Sequence, residues 1–279
     1  MSRARVLLLT ALAMVAFAAN SLLCRLALRE TAIDAASFTG IRLASGALVL
    51  WAIVRLRGGG IAGNGSWLSA FALFAYAAAF SYAYLTLPAA VGALLLFGAV
   101  QATMIGYGLA HGERFHGRQT VGLLLALGGF VGLMLPGLSA PPLAGSLLMI
   151  AAGVAWGVYS LRGRGGGNPT ASTAGNFVRA LPFAAALSLV MAARTSVDAA
   201  GAGYAVASGA LASGLGYAIW YTALPGLRAT NAATVQLSVP VIAALGAALF
   251  LGEAITLRLL LASVAVLGGI ALVIAGRGR

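Results

Sequence analysis

Leu224–Ile274 reads LPGLRATNAATVQLSVPVIAALGAALFLGEAITLRLLLASVAVLGGIALVI, and the chain holds a second version of it at Leu87–Met134, LPAAVGALLLFGAVQATMIGYGLAHGERFHGRQTVGLLLALGGFVGLM. Leu87-Pro88 answers Leu224-Pro225 at a distance of 137 positions. Further along, Gly112-Glu113 answers Gly252-Glu253, Arg118 answers Arg258, and Gly128-Gly129 answers Gly268-Gly269, each 140 apart. Landmarks at both ends of an apolar hairpin, kept in the same order, mark a duplicated unit of about half the chain. Residues 1–137 and 138–279 are the two expected repeats.

Composition places these repeats in a membrane. The chain is 61% hydrophobic and 8% charged, with a mean hydropathy of +1.00, whereas soluble domains carry roughly 25% charged residues. Apolar runs of the length that crosses about 30 Å of hydrocarbon recur with short breaks. The alternating segments of about ten residues that mark a membrane barrel do not occur. The expected fold is therefore an all-α membrane protein of ten transmembrane helices in two inverted five-helix repeats. The spans fall near 6–24, 36–54, 66–85, 88–110, 119–136, 144–161, 172–193, 200–222, 231–251 and 259–276. A net charge of +12 is spread over loops without forming a patch, so it points to topology and not to nucleic acid. The absence of lysine excludes a Walker A loop, and a single cysteine, Cys24, excludes an internal disulfide. No cofactor, metal site or obligate protein partner is indicated; the expected partners are membrane lipid and a small-molecule substrate.

Arginine counting sets the orientation. With the N-terminus inside, Arg3, Arg5, Arg55, Arg57, Arg114, Arg118, Arg162, Arg164, Arg228, Arg277 and Arg279 are cytoplasmic, and Arg25, Arg29, Arg194 and Arg258 lie outside. Both termini are then cytoplasmic in a bacterial inner membrane. Met1–Ala18 also has the outline of a signal peptide, but its likeness to span six argues for retention: Ala16-Phe17 answers Ala155-Trp156, 139 residues on. Five spans per repeat force the copies into opposite polarity, and inverted repeats of this kind place a substrate site near midplane at their interface.

The chain resembles the drug/metabolite transporter superfamily, EamA type, over essentially its whole length. The residues that carry this are Ala155-Trp156-Gly157, Asn20, Trp220-Tyr221, Leu224-Pro225, Ser238-Val239-Pro240-Val241 and Leu251-Gly252-Glu253. The first repeat departs from the pattern, with Phe17-Ala18 in place of Trp-Gly and no proline after Gln101 to match Pro240. The resemblance implies a secondary transporter working by alternating access, with export of amino acids or related small metabolites as the common function. Drug efflux by the same superfamily is the alternative, followed by a channel. An intramembrane enzyme has little support, because no His-Glu-x-x-His, no Gly-x-Ser-x-Gly and no paired intramembrane carboxylates occur.

Polar and aromatic residues within apolar spans are the candidate lining. Phe17, Tyr76, Phe80, Tyr82, Phe97, Trp156, Tyr217 and Trp220 supply ring surface, while Asn20, Gln101, Tyr159, Gln236 and Ser238 supply directed hydrogen bonds. A buried amide without a partner is costly, so each must bond a neighbouring helix or a ligand. Tyr84 and Tyr221 end their spans and read as an interfacial belt. Arg42 and Arg179, repeat mates 137 apart, fall inside spans two and seven. They read as structural anchors reaching loop carbonyls, with a role as substrate anion anchors as the other possibility. All five acids, Glu30, Asp34, Glu113, Asp198 and Glu253, sit in loops or at span ends, which argues against export of lipophilic cations and against proton coupling. Aromatic lining makes large apolar or aromatic amino acids the first expectation.

Overall fold

The computed structural model describes residues 1–112, 117–137, 140–163, 167–227, 232 and 234–276. Expectations placed on Glu113, Arg114, Arg164, Arg228, Arg277 and Arg279 lie outside the described residues. The helices are α1 (Arg3–Glu30), α2 (Ala35–Leu56), α3 (Trp67–Tyr84), α4 (Ala89–Ala110), α5 (Gly117–Met134), α6 (Leu143–Arg162) and α7 (Pro169–Val190). They are followed by α8 (Ala199–Val206), a π-helical segment (Ala207–Leu215), α9 (Gly216–Ala223), α10 (Ser238–Phe250) and α11 (Leu257–Gly276). Among the described residues no strand is present, and eight helices are long and apolar enough to cross a membrane on their own.

Local chemistry sets the helix starts. Side-chain oxygens of Ser2, Asp34, Ser66, Asn168 and Asp198 accept from backbone N–H groups in the first turns of α1, α2, α3, α7 and α8, replacing bonds a helix cannot make for itself. Pro169 follows Asn168 at the first helical position of α7, where its missing N–H does no harm. Asp34 does more than cap. Its other carboxylate oxygen accepts from Ser196 N at 3.0 Å, and its own N–H donates back to Ser196 O at 2.9 Å. Burial acts to raise the Asp34 pKa, but bonds from Ser37, Ser196 and Ala36 outweigh it and hold the carboxyl below its ordinary value.

Two spans depart from simple helices. Span eight is one continuous rod, α8 through the π segment into α9, with helical dihedrals at both junctions. Span nine is broken. Ala232, Thr234 and Val235 are helical, Gln236 and Leu237 form a turn, and α10 restarts at Ser238. Pro240 explains the break: it has no N–H to give to Gln236 O, which instead accepts from Val239 N at 3.1 Å. In a membrane such a break is tolerated where the freed backbone is covered by protein or faces a cavity. At the other end of the chain α1 runs to Glu30, so Arg25 and Arg29, expected in a loop, are carried on the helix.

Packing follows the duplication. Helix α2 lies against α7 and α5 against α11, so each of these pairs joins an element to its own repeat mate. Helices α3 and α4 pack on α6, and their mates α9 and α10 pack in the same way on α1. Lipid offers no hydrophobic drive for these contacts, so small residues carry them. A Cβ added at Gly122 or Gly269 would overlap the other helix's backbone, which lets α5 and α11 cross at contact. Gly153 likewise meets α4 backbone at Leu96, while a Cβ at Gly128 or Gly132 would meet nothing. Outward-facing positions such as Leu8, Leu48, Leu124, Leu249 and Leu260 are exposed, as a lipid-facing surface requires. The protein is a multi-pass membrane protein.

Candidate substrate cavity

A cavity of about 990 Å³ lies between the two halves. Its walls come from α1, α3, α4, α6, α7, α9, Ala232, Gln236 and Ile274. At one end it reaches Gly65, Arg162, Gly163 and Pro169, of which Arg162, Gly163 and Pro169 are exposed. This is the end where α1 begins and α11 finishes. Toward the other end the lining residues Asn20, Ser21 and Phe80 are buried, as are Tyr84, Leu87 and Ala89 beyond them, so that end is closed.

Ring stacking builds the middle of the cavity. Trp156 on α6 is the hub: it stacks on Tyr217 at 5.3 Å and 20°, on Tyr159 at 5.1 Å and 26°, and leans on Tyr76 at 4.8 Å. Phe17 extends the set, 5.6 Å from Tyr217 and 6.1 Å from Trp220, and Tyr76 meets Phe80 at 5.4 Å. Tyr76 and Phe80 are one helical turn apart on α3, so their rings share a face. Such pairs are each worth roughly 0.5–1.5 kcal/mol beyond area burial, so the wall is stiff and offers flat apolar faces.

Polar groups are few and specific. Gln101 is buried and lines the cavity, and its amide has no hydrogen-bond partner among the described residues. Gln236 donates from Nε2 to Ala232 O at 3.1 Å, across the break in span nine. Asn20 donates to the Tyr76 hydroxyl at 3.3 Å and accepts from Ser208 of the π segment. Tyr159 donates to Thr173 at 3.5 Å and accepts from Asn176 at 3.4 Å. Among the described lining residues there is no carboxylate.

Eleven of the residues singled out from sequence line this space: Phe17, Asn20, Tyr76, Phe80, Phe97, Gln101, Trp156, Tyr159, Tyr217, Trp220 and Gln236. Two do not. Tyr82 sits two residues beyond Phe80, about 200° around the helix, so it turns away from the cavity. Ser238 starts α10 and gives its hydroxyl to Val235 O at 2.6 Å, inside the chain's own break. The reading of Tyr84 as a belt residue is corrected: it is fully buried, its ring stands edge-on to Phe80, and its hydroxyl donates to Ala89 O. Tyr221 lines the cavity instead of marking an interface. Ser69, Ser172, Thr173, Asn176 and Arg162 also line it, although none stood out beforehand as a site residue. Only the polar pair Thr173 and Asn176, three apart in an apolar span, offered a signal.

A largely buried ion pair lies at the closed end. Arg25 donates from Nε to Glu253 at 3.2 Å, with 14% and 8% of the two side chains exposed. Arg25 Nη1 also donates to Tyr84 O at 2.9 Å, and the second Glu253 oxygen accepts from Ala89 N at 2.7 Å. Thus α1, the α3–α4 corner and the α10–α11 corner meet at a single knot.

The two intramembrane arginines part company. Arg179 gives Nη1 to Asn64 O at 2.6 Å and Gly175 O at 3.0 Å, and Asn176 beside it accepts from Ser66 N at 2.8 Å. That is the loop-anchoring role expected of it. Arg42 is 2% exposed, bonds the Tyr76 hydroxyl at 2.9 Å, and lies over the Tyr76 and Phe80 rings at 5.1 and 4.8 Å. Its Nη1 is buried with no partner, and among the described residues it forms no ion pair. A cation at membrane depth costs about 2.5–3.5 kcal/mol on insertion scales. Each ring face returns about 2 kcal/mol to a desolvated cation, and a neutral interhelical bond about 0.6. The gains are of the same size as the cost, so Arg42 contributes little net stability.

The comparisons agree with this architecture. Residues 143–275 match the EamA-like transporter family. The chain is 61% identical over 274 residues to the uncharacterized protein PA1977 of Pseudomonas aeruginosa, covering 98% of this chain and 96% of that one. A protein known from a crystal structure superposes with a TM-score of 0.67 at 20% identity, over 99% of this chain and 100% of its own. That likeness speaks for the fold alone. With a helical bundle, a repeated hairpin and a family match over its second half, the chain belongs to the EamA-like transporter family of the drug/metabolite transporter superfamily.

Proposed function

We propose that the protein is a secondary transporter of the bacterial inner membrane that exports amino acids with large apolar or aromatic side chains, or closely related metabolites, by alternating access. The carrying observation is a ring-walled cavity between the two halves, open at one end and closed at the other by Arg25 and Glu253. A channel needs a path open at both ends; a carrier needs one end shut. With both termini cytoplasmic, the observed state faces inward, ready to load a substrate for export. The repeats 1–137 and 138–279 would exchange roles in the outward-facing state. The lining favours amino acids over lipophilic cations because flat ring faces and the free Gln101 amide occur without a carboxylate to hold a lone cation. Opening toward the outside requires the Arg25–Glu253 knot to part.

The test is counterflow in proteoliposomes preloaded with a panel of amino acids. Saturable exchange of labelled phenylalanine, tyrosine or leucine supports the reading. Flux that does not saturate and shows no trans-stimulation sinks the carrier, and exchange of hydrophobic amines alone moves the assignment to drug efflux.

A further inference from the structure

Arg42 is the feature that the cavity, as described so far, leaves unused. It stands behind the wall, not in it: Tyr76 and Phe80 line the cavity, and the guanidinium lies on their far side, 5.1 and 4.8 Å from the ring centres. One layer of rings separates it from the space a substrate fills. Among the described residues, three other arginines near the cavity each have a partner in the protein. Arg25 has Glu253, Arg179 has Asn64 O, and Arg162 has Ser69. Arg42 has a neutral phenol and two ring faces, and its Nη1 has nothing.

A helix-packing role does not account for this arrangement. A methionine or leucine would fill the same volume between α2 and α3 without desolvating a cation, and replacing buried charges by apolar groups is often neutral or stabilising. The guanidinium fork matches a carboxylate in two parallel bonds, and Arg42 holds one of its terminal nitrogens free for such a bond. The Tyr76 oxygen accepts from both Arg42 and Asn20, which leaves the phenol's own proton uncommitted and able to join in binding an anion.

We propose that Arg42 receives the carboxylate of the transported amino acid, with Tyr76 and Phe80 forming the ring layer that moves aside to admit it. The inference rests on the amino-acid reading of the cavity and names the group that distinguishes an amino acid from its amine. The buried charge is then the missing half of an ion pair that the substrate completes. Asn20 and Ser208 link the Tyr76 hydroxyl to the π segment of span eight, so carboxylate capture at Tyr76 also touches an element of the second half.

The experiment uses the full-length protein in proteoliposomes, with uptake of labelled L-phenylalanine and of phenethylamine, which keeps the ring and the amine but lacks the carboxylate. Wild type is expected to prefer phenylalanine at least tenfold. Arg42→Met should lose that preference, with its thermal midpoint equal to or above that of wild type. Arg42→Lys should keep most of it. If Arg42→Met keeps the preference, or unfolds readily while the folded fraction still discriminates, the proposal is overturned and the cavity reading stands. If wild type takes up phenethylamine and not phenylalanine, or neither, the amino-acid reading fails and takes the proposal with it.

Discussion

The two ends of the cavity differ in build: one is open and the other is packed shut. At the closed end α1, the α3–α4 corner and the α10–α11 corner converge on Arg25 and Glu253, whose oxygens and nitrogens also hold backbone groups at Tyr84 and Ala89. At the open end Arg162 donates to Ser69, and Arg179 and Asn176 hold the α2–α3 loop against α7. Those bonds fasten one rim and leave the mouth clear. The contrast teaches that closure here centres on one compact polar knot set among buried apolar side chains such as Tyr84, Leu87 and Phe80. A substitution of a few atoms at that knot should therefore move the whole equilibrium.

The largest expected effect lies between the ends. Trp156→Ala removes the hub of three ring contacts, each worth roughly 0.5–1.5 kcal/mol, and transport should fall about thirtyfold or more. Folded yield should fall by less than transport, because the half-buried ring borders open space. A detergent-stable variant with unaltered counterflow would show that the cavity is not the path. Next in size is accessibility. Cys24 is fully buried, so wild type gives little thiol background. Ser172→Cys at the open mouth should react with a membrane-impermeant maleimide at least tenfold faster than Ala89→Cys at the knot, a ratio of about 1.4 kcal/mol in exposure. Equal rates would abolish the contrast between the two ends.

A smaller change sharpens it. Glu253→Gln removes the ion pair and weakens the bond at Ala89 N; hydrogen bonds to charged groups contribute about 1.5–3 kcal/mol, of which partial exposure screens a share. Labelling of Ser21→Cys, placed just on the cavity side of the knot, should rise about fivefold from the outer face in right-side-out vesicles. No rise would mean that the knot does not set the equilibrium. Smaller still, Pro240→Ala restores the N–H that Gln236 O lacks, and a straighter span nine should slow exchange about twofold, consistent with a proline cost of about 3 kcal/mol spread over a break already formed. Faster exchange would show that the break hinders movement. The smallest expected effect is none: collapsing the proton gradient should leave exchange unchanged, since the described cavity lining holds no acid to titrate. Loss of concentrative uptake with an uncoupler would place a coupling group that the lining does not show.

Much of this was legible because apolar spans make exceptions conspicuous. Trp156, Tyr217 and Gln101 stood out against leucine and alanine, and the repeated hairpin showed the duplication, whereas which helices pair came only from the packing. Short hydroxyls did not stand out. Ser172 and Thr173 can satisfy themselves on their own helix, so residue type alone does not announce a cavity wall. The knot was hidden for another reason: Arg25 and Glu253 are 228 residues apart, and each looked like an ordinary loop charge. Tyr84 misled because a tyrosine at a span end fits an interface and a buried corner equally well; only the packing against Phe80 separates them. Repeat symmetry also suggested one role for both arginines. The position matching Tyr76 in the second half is Ser213, 137 residues on, too short to reach a guanidinium as Tyr76 does.

That single difference bears on why the two halves are one polypeptide. Two identical copies of residues 1–137, paired head to tail, would place two Arg42 guanidiniums beside one chamber, each without a counter-ion and each repelling the other. Two copies of the second half would place none. Joined in one chain, the halves were free to differ, and one of them holds a bare charge that its twin has turned to fastening a loop.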